Sequence, residues 1–333
     1  MIPKAQIPRN APETSVPIEA SRFQPRVVEP REHAGPVVLG GLGWLPDLPD
    51  LRDFTARTPE VAAMLEPLKI GAPVADLPAA VDLRAWCSEI EDQGNLGSCT
   101  ANAGVGLYEF FERKAYGRHI DASRLFLYKA TRNLLGWTGD TGAYLRTTMG
   151  ALRLFGTVPE KYWPYAIADF EKDPPPFCWA FAENFQATTY YRLDPPGISR
   201  QEVLARIKTN LAAKLPSMFG FTVYSSIAQA AARGEIPFPT AGERVLGGHA
   251  IVAVGYDDAK KIRNSNPGGG ETNGAFLIRN SWGTDWASQA ISSQGEPMPG
   301  YGWFPYEYVT RSLAVDWWTL VRAEFAQLGQ FGL

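Results

Sequence analysis

Four residues of this 333-residue chain have types that together allow nucleophilic attack on an acyl group: Cys99 in "DQGNLGSC", His249 in "GGHAIVAVGY", Asn280 in "LIRNSWGTDW" and Gln93, six residues ahead of the cysteine. A thiol attacks only as its thiolate, and an ordinary thiol with a pKa near 8.5 is about a few per cent ionised at neutral pH. The positive end of a helix dipole and a neighbouring imidazolium both lower that value. The chain has three histidines. His33 lies in a proline-rich arm, and His119 stands a helix length of about 27 Å from Cys99 at roughly 1.5 Å per residue. His249 remains. Its second ring nitrogen needs an acceptor to fix tautomer and orientation, and Asn280 follows 31 residues later on the next predicted strand. Trp282 could shield that bond from water. Gln93 offers a side-chain amide to act on an oxyanion together with the Cys99 backbone N–H.

The elements that must position these groups read in two halves. Ser98, the small residues Ala101, Ala103 and Gly104, and Gly117 at the far end predict a helix from Ser98 to about Tyr116, with Cys99 in its first turn. Further helices are expected from Asp121 to about Leu135, across "YLRTTMGALRLFG", and in "SRQEVLARIKTNLAAKL", where Ser199 and Glu202 form a capping box. Apolar runs of strand length follow: "SMFGFTVY", "HAIVAVGYDD" and "AFLIRNSW", the last two joined across the turn-rich "NSNPGGGETNG". Helices first and antiparallel strands second indicate an α+β protein.

Residues 1 to 40 hold seven prolines and little apolar periodicity, as expected of an extended or disordered arm. "LGGLGWLPDLPDLRDFT" follows, with Trp44, Leu45, Leu48, Leu51 and Phe54 to bury and Asp47, Asp50 and Asp53 to stay wet, so this part docks on something. A short helix is expected from Thr58 with Pro59 at its first position. The compact body begins near "VDLRAW".

Composition narrows the class. A net charge of -3 without a basic block points away from nucleic acid and from an anionic membrane, and leaves a small molecule or a polypeptide as partner. No apolar run approaches the roughly 20 residues of a membrane span, and "MIPKAQIPRNAPETSVPIEA" has no secretory signal, so cytoplasmic residence or a dedicated secretion system is expected. Three cysteines are too few for a disulfide scaffold, and none has metal-ligand spacing. Cys87 and Cys178 are expected as buried thiols or as one disulfide.

The blocks "DQGNLGSC", "GGHAIVAVGY" and "LIRNSWGTDW" resemble, in order and spacing, the signature blocks of papain-like cysteine peptidases, and the 150 residues between Cys99 and His249 lie within that family's spacing. The resemblance covers roughly residues 80 to 310. It implies Cys99 as nucleophile, His249 as acid/base, Asn280 as orienter, Gln93 as oxyanion donor and Trp282 as the indole over the Asn–His bond. "TGAYLR" matches the glycine-rich strand that pairs with substrate backbone, with Gly142 and Ala143 in the pairing positions; Leu145, Met149 and Ala250 line an apolar subsite beside it. Thr100 replaces the family's tryptophan after the nucleophile. Leu96 and Asp140 replace a half-cystine and its partner, which suggests a disulfide-poor branch of bacterial type.

The implied architecture is the two-lobed papain-like fold: a helical lobe at about 90–180, an antiparallel β-barrel-like lobe at about 181–315, and the active site in the cleft between them. The implied domains are an arm and inhibitory prosegment at 1–77, a peptidase domain at 78–320 and a tail at 321–333. The implied activity is hydrolysis of peptide bonds by a monomer made as a zymogen, its own N-terminal segment in the cleft, with no cofactor or metal. Two alternatives are acyl transfer to an amine, in the manner of a transglutaminase, and peptide binding without cleavage.

Overall fold

Small residues decide where the longest helix sits. In the computed structural model, which describes residues 40–70, 77–187 and 189–321, helix α2 (Cys99–Tyr116) is buried along the Cys99–Phe111 stretch. A Cβ on Gly104 would stand 3.0 Å from Thr148 and 3.3 Å from Leu127, and one on Gly106 would stand 2.3 Å from the Arg279 guanidinium. Those two glycines let α2 approach α3 (Arg124–Leu135) and α4 (Leu145–Leu154) on one side and the sheet on the other. Gly117, at φ 69°, ends α2 with its N–H on the Arg113 carbonyl, the left-handed stop that glycine adopts without a Cβ penalty.

The remaining helices are α1 (Pro59–Leu65), α5 (Pro176–Ala182), α6 (Arg200–Ala212) and α7 (Glu307–Thr310). Pro59 opens α1 and Ser199 caps α6 by accepting the Glu202 N–H, as their sequences require. Two starts differ from the sequence reading. The second long helix begins at Arg124 rather than Asp121, because Ser123 accepts the Phe126 N–H and sets the cap there. Ser98 precedes α2 without capping it, since its hydroxyl bonds Tyr165 and the Asn102 side chain instead.

Strands β1 (Ala80–Asp82), β2 (Thr189–Arg192), β3 (Ser217–Tyr224), β4 (Val245–Arg263), β5 (Glu271–Arg279), β6 (Tyr301–Pro305) and β7 (Ala314–Val321) form one antiparallel sheet in the order β2-β7-β3-β4-β5-β6, with β1 paired to β4. The hairpin β4–β5 turns through the glycine-rich stretch, as its composition requires. The sheet reaches beyond the 181–315 segment expected for it. β1 joins from before α2, and β7 runs to Val321 because Trp318–Val321 pairs with β2 while Ala314–Trp318 pairs with β3. The chain thus closes its β half with its last described strand. The stretches 1–39, 71–76 and 322–333, which hold most of the proline-rich arm and of the expected tail, lie outside the described residues.

The two tryptophans of "VDWWTL" are fully buried in this half. Trp317 stacks on Phe219 with centroids 3.9 Å apart and planes 8° from parallel. Among the described residues, no helix is long and apolar enough to cross a membrane. Truncating Trp317 leaves a cavity the strands cannot collapse into, so Trp317→Ala is expected to lower unfolding free energy by about 3–5 kcal/mol in urea denaturation, and a loss under 1 kcal/mol would contradict this packing.

Candidate active site

The loop after β5 and the loop before α2 are stitched together at the mouth of the cleft. Gln93 N–H bonds the Ser281 carbonyl at 2.9 Å and Gly283 N–H bonds the Glu91 carbonyl at 3.0 Å. This two-bond ladder sets Gln93, on the helical side, against Asn280 and Trp282, on the β side. The Ser281 hydroxyl donates to Gln93 Oε1 at 2.6 Å, which turns the amide nitrogen toward the cleft. Sequence reading missed Ser281, because its contribution is a contact 188 residues away along the chain.

His249 rises from β4, opposite Phe221 of β3, and is fully buried. Its Nε2 lies 2.8 Å from Asn280 Oδ1, and the same oxygen accepts the Ser281 backbone N–H at 2.8 Å. A backbone N–H can only donate, so that contact fixes which end of the carboxamide is oxygen, and the imidazole must carry its proton on Nε2. Trp282 stacks on the ring at 4.5 Å and Phe221 meets it edge-on at 5.9 Å. Nδ1 is buried and has no hydrogen-bond partner among the described residues. It is therefore an unsatisfied acceptor.

Cys99 begins α2 and is fully buried. The backbone N–H groups of Ala250, the residue after His249, of Gly43, of Thr100 and of Cys99 itself favour its thiolate form. Burial pushes the thiol up to about 11, against the pull of those backbone donors. Burial likewise drives His249 down to about 4, with the Asn280 bond opposing it. Thiol and imidazole are both neutral at pH 7 in this closed state.

What closes it is the chain's own segment 40–45. Gly41 N–H bonds the Gly94 carbonyl, Trp44 N–H bonds the Gly248 carbonyl, and Ala143 exchanges bonds with Gly43 and Leu45 at 2.8 and 3.1 Å. The Gln93 amide donates to Gly41 O at 2.8 Å and to Leu96 O at 2.9 Å. A Cβ on Gly41 would stand 2.3 Å from the Leu96 carbonyl and one on Gly43 1.8 Å from the Gly97 carbonyl, so only glycine threads here. Downstream, Arg146 holds both Asp47 and Asp53, with Nε 2.7 Å from Asp53.

Cys99, His249, Asn280, Gln93 and Trp282 thus converge. Gly142 and Ala143 also border the segment: Gly142 has φ 70° and no room for a Cβ against Gly43, while Ala143 supplies the pairing N–H and carbonyl. Leu145 and Met149 are fully buried on α4, and Ala250 pairs with Gly220, whose Cα face meets Trp44. His119 sits beyond the far end of α2, after Gly117. All three cysteines are free. Asp140, at the position of the absent half-cystine, accepts the Gly97 N–H and the Tyr128 hydroxyl, so a carboxylate bridges these segments without a covalent bond. No cluster of metal-ligating side chains occurs among the described residues.

Comparison with known proteins gives the same family from three directions. The family model "Papain family cysteine protease" matches residues 77–292. An uncharacterized peptidase C1-like protein of Acanthamoeba polyphaga mimivirus is 32% identical over 84% of this chain and 86% of its own length. Xylellain, a cysteine protease from Xylella fastidiosa, superposes with a TM-score of 0.64 at 33% identity, covering 84% of this chain and 96% of that one. Digestive procathepsin L 3 of Tenebrio molitor shares the fold at 17% identity, with a TM-score of 0.54 over 78% of each chain.

The depressed His249 has a consequence for stability. The unfolded imidazole takes a proton below about 6.5 and the buried one only near 4, so its contribution is complete above 6.5 and lost as pH falls toward 4, a loss of up to about 3 kcal/mol. Urea unfolding of full-length Cys99→Ala and Cys99→Ala/His249→Gln between pH 7 and 4 isolates it. Asp316 and Glu109, both raised by burial and acting with the opposite sign, are common to both variants. The chain that keeps His249 is expected to lose more stability on acidification, and parallel profiles would refute the assignment.

Proposed function

We propose, from the premise that this chain belongs to the papain family of cysteine proteases, that Cys99, His249, Asn280 and Gln93 hydrolyse peptide bonds and that residues 40–54 hold the cleft shut until they are displaced. The observation that carries this is the buried His249 ring, bonded on one nitrogen to Asn280 and without a partner among the described residues on the other, next in the chain to Ala250, whose backbone N–H favours the Cys99 thiolate. In the open cleft His249 Nδ1 takes the thiol proton. The thiolate attacks the substrate carbonyl carbon, and the resulting oxyanion is held by the Gln93 amide and the Cys99 backbone N–H. The imidazolium returns its proton to the leaving amine as the carbon–nitrogen bond breaks. Water then gives a proton to Nδ1, its oxygen adds to the thioester carbon, and the peptide acid departs as the thiol reforms.

The occupying segment presents the Gly41 carbonyl oxygen to the Gln93 amide. The closed state also keeps water away, and that dryness holds thiol and imidazole neutral. Displacing the segment readmits water and lets the ion pair form.

Two variants test the latch. Gly43→Ala places a methyl against the Gly97 carbonyl, an overpacking cost of about 1–3 kcal/mol that is expected to raise peptidase activity of the full-length chain on the order of tenfold or more. Arg146→Ala removes the clamp on Asp47 and Asp53 and is expected to act in the same direction. Adding Cys99→Ala to either is expected to abolish the activity, measured on a fluorogenic peptide library. Activity that survives Cys99→Ala would remove the nucleophile assignment, and variants no more active than the parent would remove the latch.

A further inference from the structure

The side chain of Trp44 fills a pocket built for it. The indole is buried to 5% exposure. Its ring lies where a Cβ on Gly220 would be 1.9 Å from Cε2, and a Cβ on Gly248 would be 2.7 Å from Cε3. These two glycines belong to neighbouring strands, and with Ala250, the partner of Gly220, they lie on one face of the sheet. A flat ring system fits there because two side chains are missing.

Beside the ring stands Asp316. Met218 pairs with Trp318 and Gly220 with Val315, so one residue of β3 faces two of β7, Asp316 and Trp317. This is a bulge, which re-aims a side chain. Asp316 takes a φ of 64°, in the left-handed region that a non-glycine residue enters at a cost. Asp194 holds it there, accepting the N–H groups of Asp316 and Trp317 at 2.8 and 3.0 Å. One oxygen of Asp316 accepts the Trp318 indole at 2.7 Å and lies 3.4 Å from Arg192. The other, Oδ2, accepts the Trp44 indole N–H at 3.3 Å.

We infer that Asp316 and Gly220 make this pocket, once the segment has left, a specificity subsite for a substrate side chain carrying a planar double ring with an N–H at its rim, tryptophan before any other. The inference rests on the proposed peptidase reading. The Trp44 N–H sits on Gly248 O and its neighbours pair with Ala143, the same main-chain groups an extended peptide would use. A leucine or phenylalanine would fill the space but leave Asp316 Oδ2 without a donor, and a site built to bond an N–H discriminates against an analogue lacking it. An arginine would bring a second buried cation against Arg192, which already neutralises this carboxylate and is 1% exposed.

The test uses the full-length chain opened by Gly43→Ala and a peptide series differing at one position: Trp, Tyr, Phe, Leu, Val and Arg. Hydrolysis is read as kcat/KM, and binding is read by fluorescence polarisation on the Cys99→Ala/Gly43→Ala chain. Tryptophan is expected to exceed phenylalanine and leucine by roughly tenfold in both readouts. Asp316→Asn is expected to bring the Trp-to-Phe ratio close to one, and Gly220→Ala to invert the Trp-to-Val preference by filling the ring's place. Equal values for Trp, Phe and Leu, a preference for Arg, binding of no peptide, or a Trp-to-Phe ratio unchanged by Asp316→Asn would each overturn the inference. Should tryptophan-selective binding appear with no hydrolysis, the subsite stands and the peptidase reading fails. Should hydrolysis proceed without selectivity, the reverse holds.

Discussion

A buried imidazole with one nitrogen satisfied and the other left bare is the constraint on which the rest of the molecule turns. Burying His249 completely costs free energy that the Asn280 bond repays only in part, because Nδ1 has no partner among the described residues. Most buried polar atoms in a folded protein do find one. The surroundings that hold this exception are correspondingly rigid: β3 and β4 pair in register along His249, Trp282 lies flat on the ring, and Ser281 N–H fixes the carboxamide that orients it. Each removes a way in which the ring could turn to satisfy itself. In the proposed mechanism this bare nitrogen is the one that takes the Cys99 proton.

The closed state and the subsite share one set of charges. Arg192, buried on β2, meets Asp53 of the N-terminal segment at 3.3 Å, Asp194 at 3.0 Å and Asp316 at 3.4 Å. Asp53 also meets Arg146. A buried cation must be paired, so Arg192 is satisfied from both sides: by the segment that blocks the cleft and by the carboxylate at the floor of the pocket that Trp44 fills. When the segment leaves, Asp194 and Asp316 remain to neutralise it. The arginine therefore does not become an orphan, and displacement of the segment costs less than removing the single partner of a buried ion would.

Much of this was legible from residue types and spacing. Cys99 at a helix start, His249 on a strand, Asn280 at the end of the next and Gln93 just upstream are all local statements, and each follows from a motif that names its own element. The stretch "LGGLGWLPDLPDLRDFT" was legible as something that docks, since apolar residues are interspersed there with Asp47, Asp50 and Asp53. Its partner was not, because the fit depends on the absence of side chains at Gly41 and Gly43 against carbonyls of Leu96 and Gly97, more than 50 residues on. Asp316 was hidden for a related reason. Its aim comes from a bulge and a left-handed backbone on β7, and a bulge is fixed by how two strands are paired, not by the six residues "VDWWTL" that contain it. Of the boundaries missed by a few residues, the one at Asp121 is set by the local Ser123 cap and the one at Val321 by the distant pairing of β7 with β2.

The ladder between Gln93 and Ser281 also constrains how such a site can be controlled. Because the Gln93 loop and the Asn280 loop are joined by two backbone bonds and by the Ser281 hydroxyl, the two halves cannot separate there without breaking these contacts. Asp140 ties the Gly97 loop to α3 through Tyr128 on the helical side, in the manner of a clamp. A molecule braced in this way has little scope for switching itself off by opening or shearing its halves. What can vary is the occupant of the groove, which fits the proposed role of a glycine strand threaded where no side chain fits and anchored by Asp47 and Asp53, four and ten residues after Gly43.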